Sequence, residues 1–342
     1  MKQIINNIDK DPYFKAYIDM SLCYSVIRKD HVSFDNWLFS NMTQLYFDIN
    51  NMNEVDLIRP EKYKEIKLLD TTELHYGILD SEKTFHKCII DSLSDGYSAI
   101  IELDAFYIPK RRVYKKQHIF FHPNLVYGYS YETDSYILFG YNETGHMDSS
   151  EVPAEDLYKS FMTRLATPPL FFLKQNDYKY EIDWCNFSTD LKNYFSTNQG
   201  AGLDAGHIRV YGVNAMKMMI QLLDKMKKGE HRVNLRLLTL IYEHKKLMEH
   251  KARFLLEKGF EFKNMNVMEK LSENRADADF CRVMLIKYDL NKKDKIIDFI
   301  QEKLDKIIKV EEAVLPIIAE EVEKYKRNTV LLPKPGGVKE SI

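Results

Sequence analysis

The sequence predicts an α+β fold, with helices packed on an antiparallel sheet, followed by a second domain built only of helices. Up to about residue 180, helical and strand patterns alternate with turn residues. From about 205 to 326, apolar residues recur almost only at helical spacing. Three strand patterns in the first part, two of them joined by a short turn, indicate an antiparallel sheet. We therefore expect one domain over residues 1–180 and an all-α domain over residues 181–342.

The composition is that of a globular protein. The 342 residues are 45% hydrophobic, and 49 Lys and Arg face 51 Asp and Glu, a net charge of −2. This balance gives no overall field for nucleic acid or an anionic membrane, so neither partner is expected. No signal peptide or transmembrane span is evident, which predicts a cytoplasmic location. The four cysteines lie far apart, so we expect free thiols and no zinc site.

Three helices are expected before the sheet. Ser21 can cap a helix running through Lys29, and Ser33 can cap a second one over "FDNWLFSNMTQLYF". A third, "EKTFHKCIIDSLSD", ends at Gly96, a residue type common at helix C-termini. The cap at Ser21 would place Cys23 in the first turn of its helix.

The strands are expected next, over "YSAIIELD", "PNLVYGYS" and "SYILFGY", with "YETD" as a hairpin turn between the last two. "AEDLYKSFMTRLA" predicts a helix that starts near Pro153 and stops at Pro168. "PLFFLKQ" and "YKYEIDW" are candidate edge strands.

The second domain is expected to hold four helices, and Gly229 and Gly259 fall at plausible C-caps. Pro316 should kink the last helix, and the tail "LLPKPGGVKESI" has no periodicity. The expected ranges are 208–228, 232–258, 266–290 and 294–326.

Cys23 is the candidate nucleophile, because a helix N-terminus favours the thiolate that cysteine chemistry needs. The alternative is a small thiol packed in the core. A nucleophile also needs a base, and His122 stands at the head of a strand that ends in Gly128-Tyr129. His118, four residues earlier, is the rival base. His244 and His250 are six residues apart, which does not suit a helical metal site, so no metal is expected.

This strand resembles a motif of the papain-type cysteine-protease fold. There, His-x-x-x-x-x-Gly-Tyr is followed by a hairpin and a strand ending in the Asn or Asp that orients the histidine, which would be Asn142 here. The chain is more closely similar to the family of the butirosin biosynthesis protein H N-terminal domain. Its pattern Asp-x-x-Tyr-x-Pro … His … Gly-Tyr occurs at Asp104, Tyr107, Pro109, His122, Gly128 and Tyr129.

The resemblance covers about residues 15–165 and implies a papain-like first domain. Members of the family resemble transacylases that move an acyl group from a carrier-protein thioester to an amine, and the amide synthase of the closthioamide pathway looks similar. It implies no cofactor beyond the phosphopantetheine thioester that presents the acyl group. The implied partners are an acyl or peptidyl carrier protein and a small amine or diamine. The long helices offer a surface on which a homodimer could form.

The resemblance leaves several roles open. Asn142 lies one residue beyond the usual spacing, so Asp104 is a rival orienting group, or it binds a substrate ammonium or caps a turn. Tyr107, Tyr127 and Tyr129 could line an acyl pocket. No glutamine precedes Cys23 at the spacing of a papain-like oxyanion hole, which leaves the Cys23 backbone N–H as its other half.

Three functions follow from these residues. The first is acyl transfer from a carrier-protein or coenzyme A thioester through acyl-Cys23 to an amine, with amide formation in natural-product biosynthesis. The second is a cysteine peptidase or amidohydrolase using the same residues. The third is a non-catalytic binding module of a biosynthetic complex, in which Cys23 is incidental.

Overall fold

The computed structural model describes residues 2–50, 55–57, 63–79, 81–118, 121–163, 169–196, 202–204, 207–262 and 266–330. The chain forms two compact units. The first comprises residues 1–37 and 60–181, and the second comprises residues 38–59 and 182–342. The segment 38–59 therefore belongs to the unit that also holds the C-terminal helices, whereas the expected domains placed it with residues 1–180.

The described residues contain eleven strands and nine helices, numbered in chain order. The strands are β1 (Gln3–Ile5), β2 (Leu45–Asp48), β3 (Val55–Leu57), β4 (Leu69–Leu74), β5 (Ser98–Asp104), β6 (Phe121–Ser130), β7 (Ser135–Tyr141), β8 (Met147–Pro153), β9 (Leu170–Gln175), β10 (Gly202–Asp204) and β11 (His207–Tyr211). The helices are α1 (Ile18–Val26), α2 (Phe34–Asn41), α3 (Glu82–Ser94), α4 (Ala154–Met162), α5 (Trp184–Phe195), α6 (Gly212–Lys227), α7 (Arg236–Glu257), α8 (Val267–Asn291) and α9 (Asp294–Val330).

The first unit is built on a seven-stranded antiparallel sheet. Six strands lie in the order β4-β9-β5-β6-β7-β8. The long strand β6 pairs with β5 along its first half and with β1 along its last three residues. A register shift between Val126 and Gly128 separates these two halves. The sheet and its helices confirm the α+β class.

Several elements agree with the sequence patterns. The strands β5, β6 and β7 lie at the three segments expected to be strands, and the turn after Ser130 joins β6 to β7. Ser81 caps α3 by accepting the Thr84 N–H, and Gly96, with φ +86, follows its C-terminus. The strand β9 is an inner strand between β4 and β5 and not an edge strand. "YKYEIDW" forms no strand and leads into α5.

The two faces of the large sheet pack against different helices. On one face, Ala99, Ile101 and Leu103 of β5 join a buried cluster that includes side chains of α3 and α4. The helix α1 packs against β6, β7 and β9, yet no α1 residue belongs to that cluster. Because side chains alternate along a strand, α1 must cover the opposite face of the sheet.

The second unit combines helices with a four-stranded antiparallel sheet in the order β10-β11-β2-β3. Helix α8 packs against both α7 and α9, and α9 also contacts α5 and α6. Gly229 and Gly259 have φ of +74 and +86 at the ends of α6 and α7, as expected. The expected helix at 208 starts at Gly212 instead, because residues 207–211 form β11, which pairs with β10 and β2.

A buried polar network ties the helices of the second unit together. The Lys245 ammonium donates to both Glu311 carboxylate oxygens at 2.8 and 2.7 Å and to the Tyr194 hydroxyl at 2.8 Å. Tyr194 donates to Glu311 at 2.9 Å. The His244 Nε2–H donates to the Thr43 carbonyl at 2.8 Å. Burial lowers the pKa of His244 well below its usual value, so its ring is neutral and Nδ1 can accept from Lys245 at 3.2 Å.

No helix within the described ranges combines the length and the apolar character that crossing a membrane requires. Helix α9 runs past Pro316 to Val330. The tail "LLPKPGGVKESI" lies outside the described residues.

Candidate active site

Cys23 lies in the middle of α1 and not at its N-terminus. The helix begins at Ile18 after an N-cap at Tyr17, and the Ser21 hydroxyl donates to the Tyr17 carbonyl at 2.8 Å instead of capping. Cys23 is five residues further on, about 7.5 Å along the axis at ~1.5 Å per residue. Its backbone N–H lies beyond the four free N–H groups of the first turn. The helix terminus therefore supplies neither the expected oxyanion donor nor a strong field at the sulfur.

The N-terminal end of α1 points toward one particular end of the sheet. Just before the helix, the Lys15 carbonyl accepts from the hydroxyl of Tyr141, the last residue of β7. Just after the helix, the Arg28 N–H donates to the side chain of Gln175, the last residue of β9, at 2.9 Å. Because the strands are antiparallel, α1 starts at the sheet end where β5 finishes and β6 begins.

A histidine–carboxylate pair lies at this same end of the sheet. The Asp104 side chain, 0% exposed, holds its Oδ2 2.8 Å from Nδ1 of His118, whose side chain is 49% exposed. The Asp104 Oδ1 accepts the Phe106 N–H at 3.0 Å, and the Phe106 ring stacks on His118 with centroids 3.8 Å apart. Asp104 follows Leu103 in β5, so the alternation places it on the face covered by α1.

His122 occupies the other face at this end of the sheet. It is paired with Leu103 in the β5–β6 register, so the two residues share the face of α3 and α4. Its backbone carbonyl accepts from Asn124 Nδ2 at 2.8 Å. The structure thus brings Asp104 to His118, the rival base, and does not bring it to His122.

Arg111 is a half-buried cation, linked through Asn124 to the His122 carbonyl, that no sequence motif picks out. Its Nη2 donates to Asn124 Oδ1 at 2.6 Å, and its Nη1 donates to the Tyr141 carbonyl. Burial lowers the pKa of Arg111 to about 10. A Cβ on Gly140 would lie 2.7 Å from Nη2, so the glycine makes room for the guanidinium. The only sequence signal is its place in a basic run.

Of the other predicted site residues, Tyr107 lies next to the Asp104–His118 pair, whereas Asn142 and Tyr129 bond within turns. The Asn142 Oδ1 accepts from Thr144 N and His146 N, both at 3.0 Å, so this side chain closes the β7–β8 turn. The Tyr107 ring lies 5.7 Å from the His118 ring, next to the pair. The Tyr129 hydroxyl donates to Asp134 in the β6–β7 turn, and burial raises the pKa of Tyr129 to about 12. Tyr129 therefore belongs to the opposite end of β6.

The other cysteines occupy different environments. Cys281 is buried in α8, and burial raises the pKa of its thiol to about 12. Cys88 is half-buried on α3, whereas Cys185 is exposed on α5. Cys23 is 3% exposed. Within the ranges that the structure describes, no three His, Cys, Asp or Glu side chains are grouped to hold a metal ion.

One end of the large sheet therefore carries a histidine–carboxylate pair, Asp104 with His118, and the helix that contains Cys23 starts at the same end. Comparison with protein-family models finds no match for this chain, and no curated protein sequence matches it significantly.

Proposed function

We propose that the chain is a cysteine-dependent acyltransferase with a papain-like first unit, which moves an acyl group from a thioester to an amine through acyl-Cys23. The Asp104–His118 pair supports this most directly, because a buried carboxylate that holds one nitrogen of an exposed histidine leaves the other nitrogen for proton transfer. The start of α1 at the same end of the sheet supports a role for Cys23.

The reaction has two steps. The Cys23 sulfur gives its proton to a histidine and attacks the thioester carbonyl carbon. A bond to Cys23 forms, the bond to the donor sulfur breaks, and the departing thiolate takes the proton from the histidine. An amine nitrogen then attacks the acyl-Cys23 carbonyl. The C–N bond forms, the bond to Cys23 breaks, and the amine proton passes through the histidine to the Cys23 sulfur.

His118 is the base that this arrangement favours, with Asp104 as its orienting group. His118 contacts Asp104, which the strand alternation places on the α1 face, whereas His122 pairs with Leu103 on the other face. In His122, the base that the resemblance implies, the backbone carbonyl accepts from Asn124, whose own side-chain oxygen accepts from Arg111.

The test is the intact mass of the protein after incubation with hexanoyl-pantetheine. We expect one added acyl group in the wild type, none in Cys23→Ala, and an unchanged adduct in Cys185→Ala, which removes an exposed thiol. Release of the adduct by a diamine faster than by water supports transfer. Release by water alone, with cleavage of peptides, supports the peptidase.

The two histidines are separated by their variants. His118→Gln should slow acylation at least about a hundredfold, because general-base catalysis contributes about 10²–10⁴ in rate. His122→Gln should have the smaller effect. The opposite order would return the base to His122, and equal acylation in both variants would refute histidine catalysis.

The burial of Cys23 favours the third function, a binding module without catalysis. At 3% exposure and without a helix terminus, Cys23 has the environment of a packed thiol. This function is supported if no thioester or peptide gives an adduct and iodoacetamide labels Cys185 while leaving Cys23 unmodified in the folded protein.

A further inference from the structure

A strongly basic segment precedes His118. Between Ala105 and Tyr131 the sequence contains no Asp or Glu, and residues 110–116, "KRRVYKK", carry five Lys and Arg. We call residues 110–116 the cationic loop. In a chain with a net charge of −2, this concentration of positive charge creates a local field that the whole-protein charge hides.

The cationic loop is held in one conformation by backbone hydrogen bonds. The Tyr114 N–H donates to the Arg111 carbonyl at 3.0 Å, and the Lys116 N–H donates to Val113 at 2.9 Å. The Lys110 carbonyl accepts the Glu143 N–H at 2.8 Å, which attaches the loop to the β7–β8 turn. A ligand that binds here meets an ordered surface and does not have to order the backbone.

Most of the charge on the loop is not neutralised. Lys110 pairs with Asp148 at 2.9 Å, and Arg111 is bound to neutral oxygens. Arg112, Lys115 and Lys116 are exposed. Among the residues that the structure describes, no carboxylate forms an ion pair with these three side chains. They are available to an anion from solution.

The loop is connected directly to the histidine–carboxylate pair. The Lys115 N–H donates to the Phe106 carbonyl at 2.9 Å, and the Phe106 ring stacks on His118. The Phe106 N–H in turn donates to Asp104. The position of Lys115 relative to His118 is thereby set by one residue that contacts both.

We propose that Arg112, Lys115 and Lys116 form a phosphate-binding subsite for the acyl donor. This subsite rests on the proposed function, which supplies the thioester donor. It adds the place at which the phosphate of that donor is bound. A phosphate group suits the site because several exposed cations on an ordered loop can each donate to one of its oxygens. The phosphate could come from coenzyme A or from a phosphopantetheine arm on a carrier protein.

Binding without chemistry is the first test. Coenzyme A should bind the Cys23→Ala variant as well as the wild type in calorimetry, with an affinity that falls as salt rises. Reversing two charges in Lys115→Glu/Lys116→Glu should weaken binding about tenfold or more. The matched control is Lys64→Glu/Lys67→Glu, which changes the net charge equally at exposed positions near the start of β4, the opposite end of the sheet. It should change binding less than twofold.

The second test compares donors. Hexanoyl-phosphopantetheine should acylate the wild type with a kcat/KM about tenfold above that of hexanoyl-pantetheine, and Lys115→Glu/Lys116→Glu should lower this ratio to about one. Hexanoyl-coenzyme A and a hexanoyl carrier protein distinguish the two sources of the phosphate.

The outcomes separate this subsite from the proposed reaction. Binding of coenzyme A that depends on Lys115 and Lys116, without any acylation, would keep the subsite and refute the acyltransferase. Acylation with equal kcat/KM for the two small donors would refute the subsite alone. An equal loss of coenzyme A affinity in the control variant would also overturn the subsite. So would a single-stranded oligonucleotide that binds the cationic loop more tightly than coenzyme A does.

Discussion

Replacing Lys245 by methionine should destabilise the second unit severely. The Lys245 and Glu311 side chains are 1% and 0% exposed. Methionine keeps most of the length of the lysine side chain but removes the cation. Glu311 then loses two charge-assisted hydrogen bonds and keeps only the one from Tyr194, at 2.9 Å. Breaking a buried ion pair from one side costs about 3–5 kcal/mol, and we expect Lys245→Met to fall in that range.

The double variant tests the reason for this cost. In Lys245→Met/Glu311→Gln, the buried charge is gone and the glutamine oxygen can still accept from Tyr194. The remaining cost is that of imperfectly paired polar groups, about 1–2 kcal/mol. The second substitution should therefore recover about 2 kcal/mol of the stability lost by the first.

Urea unfolding measures both variants, and the two tryptophans allow each unit to be followed. Trp37 belongs to the first unit and Trp184 to the second. In a Trp37→Phe background, fluorescence reports the second unit alone. A loss below about 1 kcal/mol for Lys245→Met, or a double variant as unstable as the single one, would show that the pair is not energetically coupled as its burial implies.

Three further predictions concern the second unit. Burial holds the pKa of Lys251 at about 7, below its usual 10.5. Stability should therefore rise with pH between about 7 and 10, where the unfolded chain binds more protons, and urea midpoints should lose this rise in Lys251→Met. Gly212 has φ +62, and Gly212→Ala would place a Cβ 2.0 Å from the Tyr194 carbonyl oxygen. Urea unfolding should therefore show a loss of stability well beyond the ~1–2 kcal/mol that a left-handed backbone alone costs an alanine. Gly229→Ala, whose Cβ would meet no atom within 4 Å, should lose only that ~1–2 kcal/mol. Lys292→Gly, at φ +51 after α8, should raise the thermal midpoint and stabilise by about 0.5–1 kcal/mol; an unchanged midpoint would contradict the backbone argument.

The sequence predicted those parts of the fold in which a local period carries the information. The strand β7 is a short, mostly apolar run that follows a turn, and α3 has both an N-cap and a C-terminal glycine, so both were placed correctly. The second sheet was missed because β2 and β11 pair across more than 150 residues, and neither segment is long enough to show its own pattern. The segment 38–59 was assigned by proximity along the chain, which says nothing about long-range pairing.

The candidate site was predicted in part. Asp104 was identified as a possible orienting group for His122, whereas its partner in the structure is His118, which was predicted only as the rival base. Spacing to Gly128 favoured His122, whereas the pairing of Asp104 depends on how the loop between β5 and β6 folds back, and that has no sequence period. The placement of Cys23 failed for a different reason. Ser21 has the chemistry of a cap, but the residues from Ile18 onward already form the helix, and a serine inside a helix bonds to the preceding turn.

The second unit is formed by two separate segments of the chain, and this affects both folding during synthesis and the products of proteolysis. The Thr43 carbonyl is bound by His244, 201 residues later, and the Phe39 carbonyl by Lys251, 212 residues later. During synthesis, residues 38–59 leave the ribosome long before α7 is made. The edge of β2 that pairs with β11 therefore stays unpaired until the later part of the chain has emerged. A fragment starting at residue 182 would lack the two strands and the carbonyl acceptors that α7 needs. Limited proteolysis followed by separation should accordingly yield a nicked but undivided molecule.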